Sequence, residues 1–243
     1  MGELEGKVAL VTGGARGQGA AEAKAFAGEG ATVVITDVLD EQGEKTAGEL
    51  DCEYLHLDVT SEQEWEAVVA DTVARHGRLD ILMNNAGIFQ PAQLLKTSTE
   101  HWSRTVAINQ TGVFLGMRTV AAAMIEAGNG GSIINTSSIA GLEGGFGATA
   151  YVATKWAVTG MTKTVAKELG KHGIRVNSIH PGAIVTDMIE DMVSGKEDKI
   201  ISRQPIKRLG TPEDIAEMAM FLASERSSYC TGQAFTVDGG VHG

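Results

Sequence analysis

Short runs of β-branched and aliphatic residues alternate along this chain with longer stretches whose apolar positions recur every three or four residues. The runs predict strands at Val8–Thr12, Thr32–Asp37, Glu53–Leu57, Asp80–Asn84, Ser132–Ser137, Arg175–His180 and Ala234–Val237. Several are apolar throughout, the pattern of strands covered on both faces. The intervening stretches predict helices. Ser61-x-x-Glu64 has the form of a capping box, and Trp65, Val68, Val69 and Val73 follow it on one helical stripe. Thr211-Pro212-Glu213-Asp214 combines an N-cap, a proline at the first helical position and acids in the first turn. Ile215, Met218, Ala219 and Leu222 then form the face to be buried. This alternation predicts an α/β fold: a doubly wound parallel sheet of about seven strands, with helices on both faces and right-handed crossovers. No repeat or linker divides the 243 residues, so one domain spanning 1–243 is expected. Within it 186–208 stands apart. Met188, Ile189, Met192, Ile200 and Ile201 are interrupted there by Gly195-Lys196-Glu197-Asp198-Lys199, and the segment reads as a helical insertion or a substrate lid.

Composition narrows the partners. Hydrophobic residues at 43% and charged residues at 21% suit a soluble globular chain with a large core. A net charge of −11 speaks against nucleic acid and against an anionic membrane surface. No apolar run approaches the roughly 20 residues of a membrane span, and Met1–Lys7 lacks the shape of a secretion signal. Cys52 and Cys230 are far apart and no CxxC occurs, so neither a zinc ribbon nor a redox pair is expected. A reducing, cytoplasmic setting fits. The six histidines are scattered without ligand spacing, and no metal site is expected.

The chemistry-bearing residues follow the strands. After the first strand comes Thr12-Gly13-Gly14-Ala15-Arg16-Gly17-Gln18-Gly19. Glycines at 13, 17 and 19 permit a tight turn and close approach to a pyrophosphate, and the helix that follows offers its N-terminal amides. The spacing departs from GxGxxG, since Glu22 stands at the third position. Asp37 ends the second strand, where an acid can accept both hydroxyls of an adenosine ribose and repel a 2′-phosphate. Arg16 is the opposing feature, because a cation in the glycine turn can attract that phosphate. Asp58-Val59 and Asn84-Asn85-Ala86-Gly87 follow the third and fourth strands, where open α/β sheets bind ligands. Asp58 also fits as a helix cap. Tyr151 and Lys155 lie four apart on one face of a predicted helix. A phenol alone loses its proton near pH ~10, and a nearby cation favours the phenolate. Such a tyrosine can exchange a proton with a substrate oxygen near neutral pH. Trp102, Val106, Asn109 and Val113 share another helical face, on which the Asn109 amide must find partners.

In order and spacing, TGGARGQG at 12–19, DV at 58–59, NNAG at 84–87, Asn109, Ser138, YVATK at 151–155 and PGAIVTDM at 181–188 resemble the short-chain dehydrogenase/reductase family over essentially the whole chain. Within it the chain is most similar to NAD-dependent hydroxysteroid and secondary-alcohol dehydrogenases, through DVLDEQG, HLDVTSE, IRVNSIHPG and SSYCTGQAFTVDGG. The resemblance implies a Rossmann-type fold, NAD as cofactor, a small alcohol or ketone as substrate and a homotetramer. It implies catalytic roles for four residues: Tyr151 as general acid/base, Lys155 lowering its pKa and bonding the nicotinamide ribose, Ser138 holding the substrate oxygen, and Asn109 holding a water that leads protons toward the lysine. Ser137 competes with Ser138, which is chosen on spacing. The cofactor would be held by Gly13, Arg16, Gln18, Gly19, Asp37, Asp58, Val59, Asn85, Ala86, Gly87, Tyr151, Lys155, Pro181, Gly182, the Ile184 backbone and Thr186.

The substrate pocket is expected between Phe89 and Gln90, the Ile139–Phe146 loop and the lid. Phe146, Met188 and Met192 would make it apolar, although the two methionines fit core packing equally well. A bulky, uncharged secondary alcohol or ketone is the expected substrate. Val113, Phe114, Val158 and Met161 fit either core or subunit interface. The competing readings are a 3-oxoacyl-thioester reductase, against which Asp37 and the net charge argue, and a non-catalytic nucleotide-binding protein on the same fold.

Overall fold

A computed structural model describes residues 2–188, 195 and 197–242. Seven strands form one parallel sheet: β1 (Val8–Thr12), β2 (Thr32–Asp37), β3 (Glu53–His56), β4 (Ile81–Asn84), β5 (Gly131–Thr136), β6 (Ile174–Pro181) and β7 (Ala234–Val237), in the order β3-β2-β1-β4-β5-β6-β7. The expected strands are all present, with ends displaced by a residue or two at β3, β4, β5 and β6. Assigned strand ends vary by a residue or two. Asp80, expected to open the fourth strand, still bonds both neighbours through its backbone, donating to the Val8 carbonyl and accepting the Ser132 N–H, and its carboxylate accepts the Val8 N–H at 2.9 Å.

Eight α-helices lie among the described residues: α1 (Gly17–Gly28), α2 (Asp40–Leu50), α3 (Glu62–His76), α4 (Thr99–Val106), α5 (Val113–Ala127), α6 (Thr149–Leu169), α7 (Glu197–Arg203) and α8 (Pro212–Ala223). Successive strand residues feed two separate cores, because side chains alternate across a sheet. Leu10, Leu82, Ile133 and Val176 join Trp65, Val120 and Val158 on the face covered by α3, α5 and α6. Val11, Met83, Ile134 and Ile179 join Phe26, Ile215, Ala219 and Leu222 on the face covered by α1 and α8. With both faces covered, no strand needs a polar side, which is why the sequence runs are apolar throughout.

Local signals explain the helix ends. Ser61 caps α3 by accepting the Glu64 N–H, but the Glu64 carboxylate turns to the Asp58 N–H at 2.7 Å, so the capping box is only half made. At α8 the box is complete between Thr211 and Asp214. Met218 is only partly buried, and Ala216, Met220 and Ala223 complete the buried face.

One helical expectation fails. Trp102 and Asn109 do not share a face: Trp102 is exposed and Asn109 fully buried. Ala107–Gly112 is a π-helical stretch between α4 and α5. Its extra residue per turn rotates everything beyond it relative to α4, and such bulges concentrate at functional sites.

Candidate active site

The sheet order reverses between β1 and β4, and a cavity of about 510 Å³ opens at the carboxyl ends of the strands on either side. One end is built by the glycine turn. Gly13 has φ +65°, and a Cβ there would stand 2.9 Å from Ala86 Cα. Thr12 ties this turn to β4: its Oγ1 accepts the Asn85 and Ala86 N–H groups at 3.0 and 3.1 Å. The Asn85 amide in turn donates to the Thr12 and Gly13 carbonyls. Gly19 lies outside the cavity. A Cβ there would fall 2.2 Å from the Gly13 carbonyl oxygen, so the glycine is required by packing of α1 on the turn.

The Asp37 carboxylate lines the same cavity. It accepts the N–H groups of Ala15, Val38 and Leu39 at 3.2, 2.8 and 3.2 Å. Arg16 is paired with Asp187 at 2.7 Å, both largely exposed. Asp58 also lines the cavity, while its Oδ1 accepts the Thr60 N–H and hydroxyl in the turn before α3; the cap of that helix is Ser61, so Asp58 is not the cap. Val59 is fixed from behind, its carbonyl accepting the buried Trp65 indole N–H at 3.0 Å.

At the other end, α6 brings Tyr151 and Lys155 to the cavity beside Ser138. Lys155 is buried, and its Nζ donates to the Thr136 carbonyl at 2.7 Å. Burial lowers its pKa to about 8. Phe89 packs edge-on against the Tyr151 ring, centroids 4.8 Å apart. The phenol departs from expectation. Burial pushes its pKa above the ordinary range, and the only opposing influence is the Ser138 side chain. Lys155 Nζ stands 5.4 Å from the tyrosine ring centroid and is turned to a carbonyl, so desolvation outweighs the cation in the chain by itself.

Ser137 is committed elsewhere: its hydroxyl donates to the Lys155 carbonyl at 3.0 Å and lies 3.2 Å from Thr159 Oγ1. Ser138 caps a short 3-10 turn, its Oγ accepting the Ala140 N–H at 3.1 Å. Asn109 stands just behind the cavity wall. Its amide clasps the Ile88 backbone in both directions, accepting the N–H and donating to the carbonyl at 2.8 Å each. A Cβ on Gly87 would lie 3.4 Å from Asn109 Oδ1 and 3.8 Å from Lys155 Nζ, so these three meet at one point.

Of the residues expected after β6, Pro181 and Thr186 line the cavity, but Gly182 and Ile184 do not. Gly182 closes β6 onto β7, donating to the Val237 carbonyl, with no room for a Cβ beside Asp238. The Ile184 side chain is core, and its backbone is drawn toward Gly210 by the bonds flanking it. Around the expected substrate pocket, Phe89 and Met188 line the cavity and Gln90 does not. Phe146 is 93% exposed and does not line it. Met188 is also exposed, which argues against core packing, whereas Ile189 and Met192 lie outside the described residues. Sequence reasoning missed Leu57, Arg104 and Ile108, which line the cavity, and His180, which stands behind Ser138. Thr12 was visible as the first letter of the glycine motif but carried no stated role.

Parallel-sheet topology, a glycine turn at the switch point, an acid at the end of β2 and a tyrosine–lysine pair opposite it define a nucleotide-dependent oxidoreductase. Residues 13–242 match the family model described as enoyl-(acyl carrier protein) reductase. The chain is 48% identical over 242 residues to a 3-alpha-(or 20-beta)-hydroxysteroid dehydrogenase of Mycobacterium bovis, covering 99% of this chain and 91% of the relative. It is 43% identical to a trans-4-hydroxycyclohexanecarboxylate dehydrogenase of Sinomonas cyclohexanicum, over 96% of this chain and 92% of that one. It is also 43% identical to a 3-oxoacyl-(acyl-carrier-protein) reductase of Thermotoga maritima, over 98% of each. The chain belongs to the short-chain dehydrogenase/reductase family. It is accordingly an oxidoreductase that acts on small molecules with a nicotinamide cofactor. No helix among the described residues is long and apolar enough to cross a membrane.

Proposed function

We propose that this chain interconverts a bulky or cyclic secondary alcohol and its ketone, with NAD(H) as the hydride partner. The observation that carries the reading is one cavity holding Asp37 at one end and Tyr151, Ser138 and Lys155 at the other. The residues present fit a dinucleotide. Gly13 and Gly17 leave the backbone of the turn bare at two positions that line the cavity, and Gln18 Oε1 and Thr136 Oγ1 are buried atoms without a partner among the described residues. Gly13, Gln18, Asp37, Asp58, Val59, Asn85, Ala86, Gly87, Pro181 and Thr186 would hold the cofactor, which supplies or accepts the hydride. Asp37 favours free ribose hydroxyls over a 2′-phosphate by charge, and Arg16 is occupied by Asp187.

Tyr151 donates the proton to the ketone oxygen, or withdraws it from the alcohol in the reverse direction. A phenol raised by burial is a proton donor in its resting form. The Ser138 hydroxyl bonds the same oxygen as charge develops there. Lys155, cationic at neutral pH, stabilises the phenolate and offers its remaining N–H groups to the nicotinamide ribose. Asn109 braces the Ile88 backbone beside Lys155, and its unused N–H and lone pair suit it to hold a relay water.

Cyclic or steroidal alcohols are favoured because two of the similar proteins are named for them and because Phe89, Ile88 and Met188 make the tyrosine end apolar. The 3-oxoacyl-thioester reductase reading is supported by the Thermotoga relative. Asp37 and a net charge of −11 disfavour a phosphorylated cofactor and an acidic carrier. We read 1–243 as one catalytic domain working in the cytoplasm; the lid expected at 186–208 lies partly outside the described residues. Val113 and Val158 are core, whereas Trp102, Phe114 and Trp156 expose apolar surface on α4, α5 and α6, which suits a homotetramer. The test is oxidation of NADH, and of NADPH, across ketones from small acyclic ones to a steroid ketone, with Tyr151→Phe as control. Turnover with NADH that is lost in the variant is expected. Equal turnover by Tyr151→Phe, or preference for NADPH with an acyl thioester, would refute it.

A further inference from the structure

His180 is fully buried near the end of β6 and takes no part in the site as described so far. Both ring nitrogens are engaged. Nδ1 lies 2.8 Å from the Ser138 carbonyl oxygen and Nε2 lies 2.8 Å from Ser178 Oγ. A carbonyl only accepts, so Nδ1 carries the proton, and the bare Nε2 of the neutral ring accepts from the Ser178 hydroxyl. Neutrality is enforced by the surroundings. Burial, with Lys155 and Lys163 of α6 and His242 of the C-terminal segment, holds the imidazole down to about 4.

The contact reaches past the end of the ladder. The last backbone bond from β5 to β6 is donated by the Ser137 N–H to the Ile179 carbonyl. Pro181 has no N–H, so β6 cannot donate the next bond to β5. The histidine ring carries the connection one residue further, to the Ser138 carbonyl. Ser138 is then held by three hydrogen bonds at two atoms: its carbonyl by His180 and by the Gly141 N–H, and its hydroxyl by the Ala140 N–H. Two of those donors belong to the same turn as Ser138. Among the described residues, His180 is the one side chain of the sheet that hydrogen-bonds that turn.

We propose that His180 is a positioning residue for the reaction, fixing the Ser138 peptide to β6 and so aiming the Ser138 hydroxyl at Tyr151 and the substrate oxygen. This rests on the role given to Ser138 above. Ser178 contributes by holding the tautomer that makes Nδ1 the donor.

The experiment compares wild type, His180→Leu, His180→Asn, Ser178→Ala, Ser138→Ala and the Ser138→Ala/His180→Leu double variant. Each is assayed with NADH and with whichever of cyclohexanone and a steroid ketone turns over faster. NADH affinity is measured separately by fluorescence. His180→Leu is expected to lower kcat by roughly 10- to 100-fold, the cost of a misplaced catalytic group, with NADH affinity unchanged. His180→Asn, whose amide N–H falls where Nδ1 stood, should recover most of the loss. In the Ser138→Ala background the leucine should cost little more, because the group it aims is gone. Heteronuclear NMR of the ligand-free chain should find His180 in the Nδ1–H tautomer. An equal loss with and without Ser138, no rescue by asparagine, or an Nε2–H tautomer would overturn the inference. Ser138→Ala at full kcat would instead sink the reading of Ser138 itself. Should His180→Leu fail to fold, His180→Asn near wild type with Ser178→Ala slowed about threefold to tenfold supports the inference, and Ser178→Ala at full speed opposes it.

Discussion

Lys155→Met should make the protein more stable at neutral pH while abolishing its activity. Lys155 is 3% exposed, and its ammonium makes one hydrogen bond, to the Thr136 carbonyl. Its pKa falls from 10.5 to about 8 because burial penalises the charge. At 1.36 kcal/mol per pH unit, that interval means the charged form costs the fold about 3 kcal/mol relative to the unfolded chain. The sign follows from proton binding. Below pH 8 both states are protonated and the cost is fully present. Between pH 8 and 10.5 the unfolded chain binds the extra proton, so stability rises with pH through that window. Methionine fills nearly the same volume without the charge and forfeits one hydrogen bond, worth about 1 kcal/mol.

The variant should therefore gain about 2 kcal/mol at pH 7, or roughly 4–8 °C in Tm for a chain of this size. The gain should shrink through the window and reverse slightly above it. Urea unfolding of ligand-free protein, followed by tryptophan fluorescence at pH 7 and pH 10, measures the difference. Protein concentration is held fixed, because any oligomer adds a concentration term. Other groups titrate in both proteins and cancel. Ketone reduction should fall by roughly 10²- to 10⁴-fold, the range of a lost acid–base contribution. A variant less stable than wild type at pH 7, or a stability difference indifferent to pH, would refute the reasoning.

Three further outcomes follow from named contacts. Asp37→Ala with Asp187→Ala removes the repelling carboxylate and frees Arg16, so the NADPH-to-NADH ratio of kcat/KM should rise at least about tenfold; an unchanged ratio would break the link to these two acids. Trp65→Phe keeps a ring in the core but strands the Val59 carbonyl, and should cost about 1–3 kcal/mol in urea unfolding. Gly116→Ala should cost a similar 1–3 kcal/mol, since a Cβ there meets Asn84 Oδ1 at 2.5 Å and Trp65 Cη2 at 2.7 Å. Gly48→Ala, in open space on α2, should instead gain up to about 1 kcal/mol. Equal effects of the two alanines on stability would remove packing as the cause.

Hydrophobic pattern recovered the central strands because β1, β4, β5 and β6 feed both cores, so aliphatic residues stand on both faces of each. Helix starts were legible where a cap is written into the chain, as at Ser61 and Thr211. They failed where geometry changes without a sequence marker. Nothing in Ala107–Gly112 announces a π-helical turn, so a stripe drawn at the α-helical angle put Trp102 with Asn109 when the bulge had parted them. Strand ends are less sharply marked: Asp80 stands just outside β4 although its backbone bonds both Val8 and Ser132.

The site divides along the same line. Residues that act through composition at a strand end were visible, because topology alone carries Gly13, Asp37, Asp58, Asn85 and the α6 pair to one crevice. Residues that act through an angle were not. Gly19 and Gly182 read as cofactor glycines, yet both are demanded by backbones 2.2 to 2.8 Å from a would-be Cβ. His180 reads as a lone histidine in a strand, and nothing in its neighbours reveals that its ring reaches the Ser138 carbonyl. Its role is a consequence of register, Thr136 opposite Ile179, and register is what a single sequence does not state. The Tyr151–Lys155 pair shows the limit from the other side. Spacing four brings the groups to one face, but the charge on Lys155 is spent on a carbonyl, and burial decides the resting phenol. Proximity along a helix thus fixes which groups can couple, and the hydrogen-bond partner of the cation fixes whether they do.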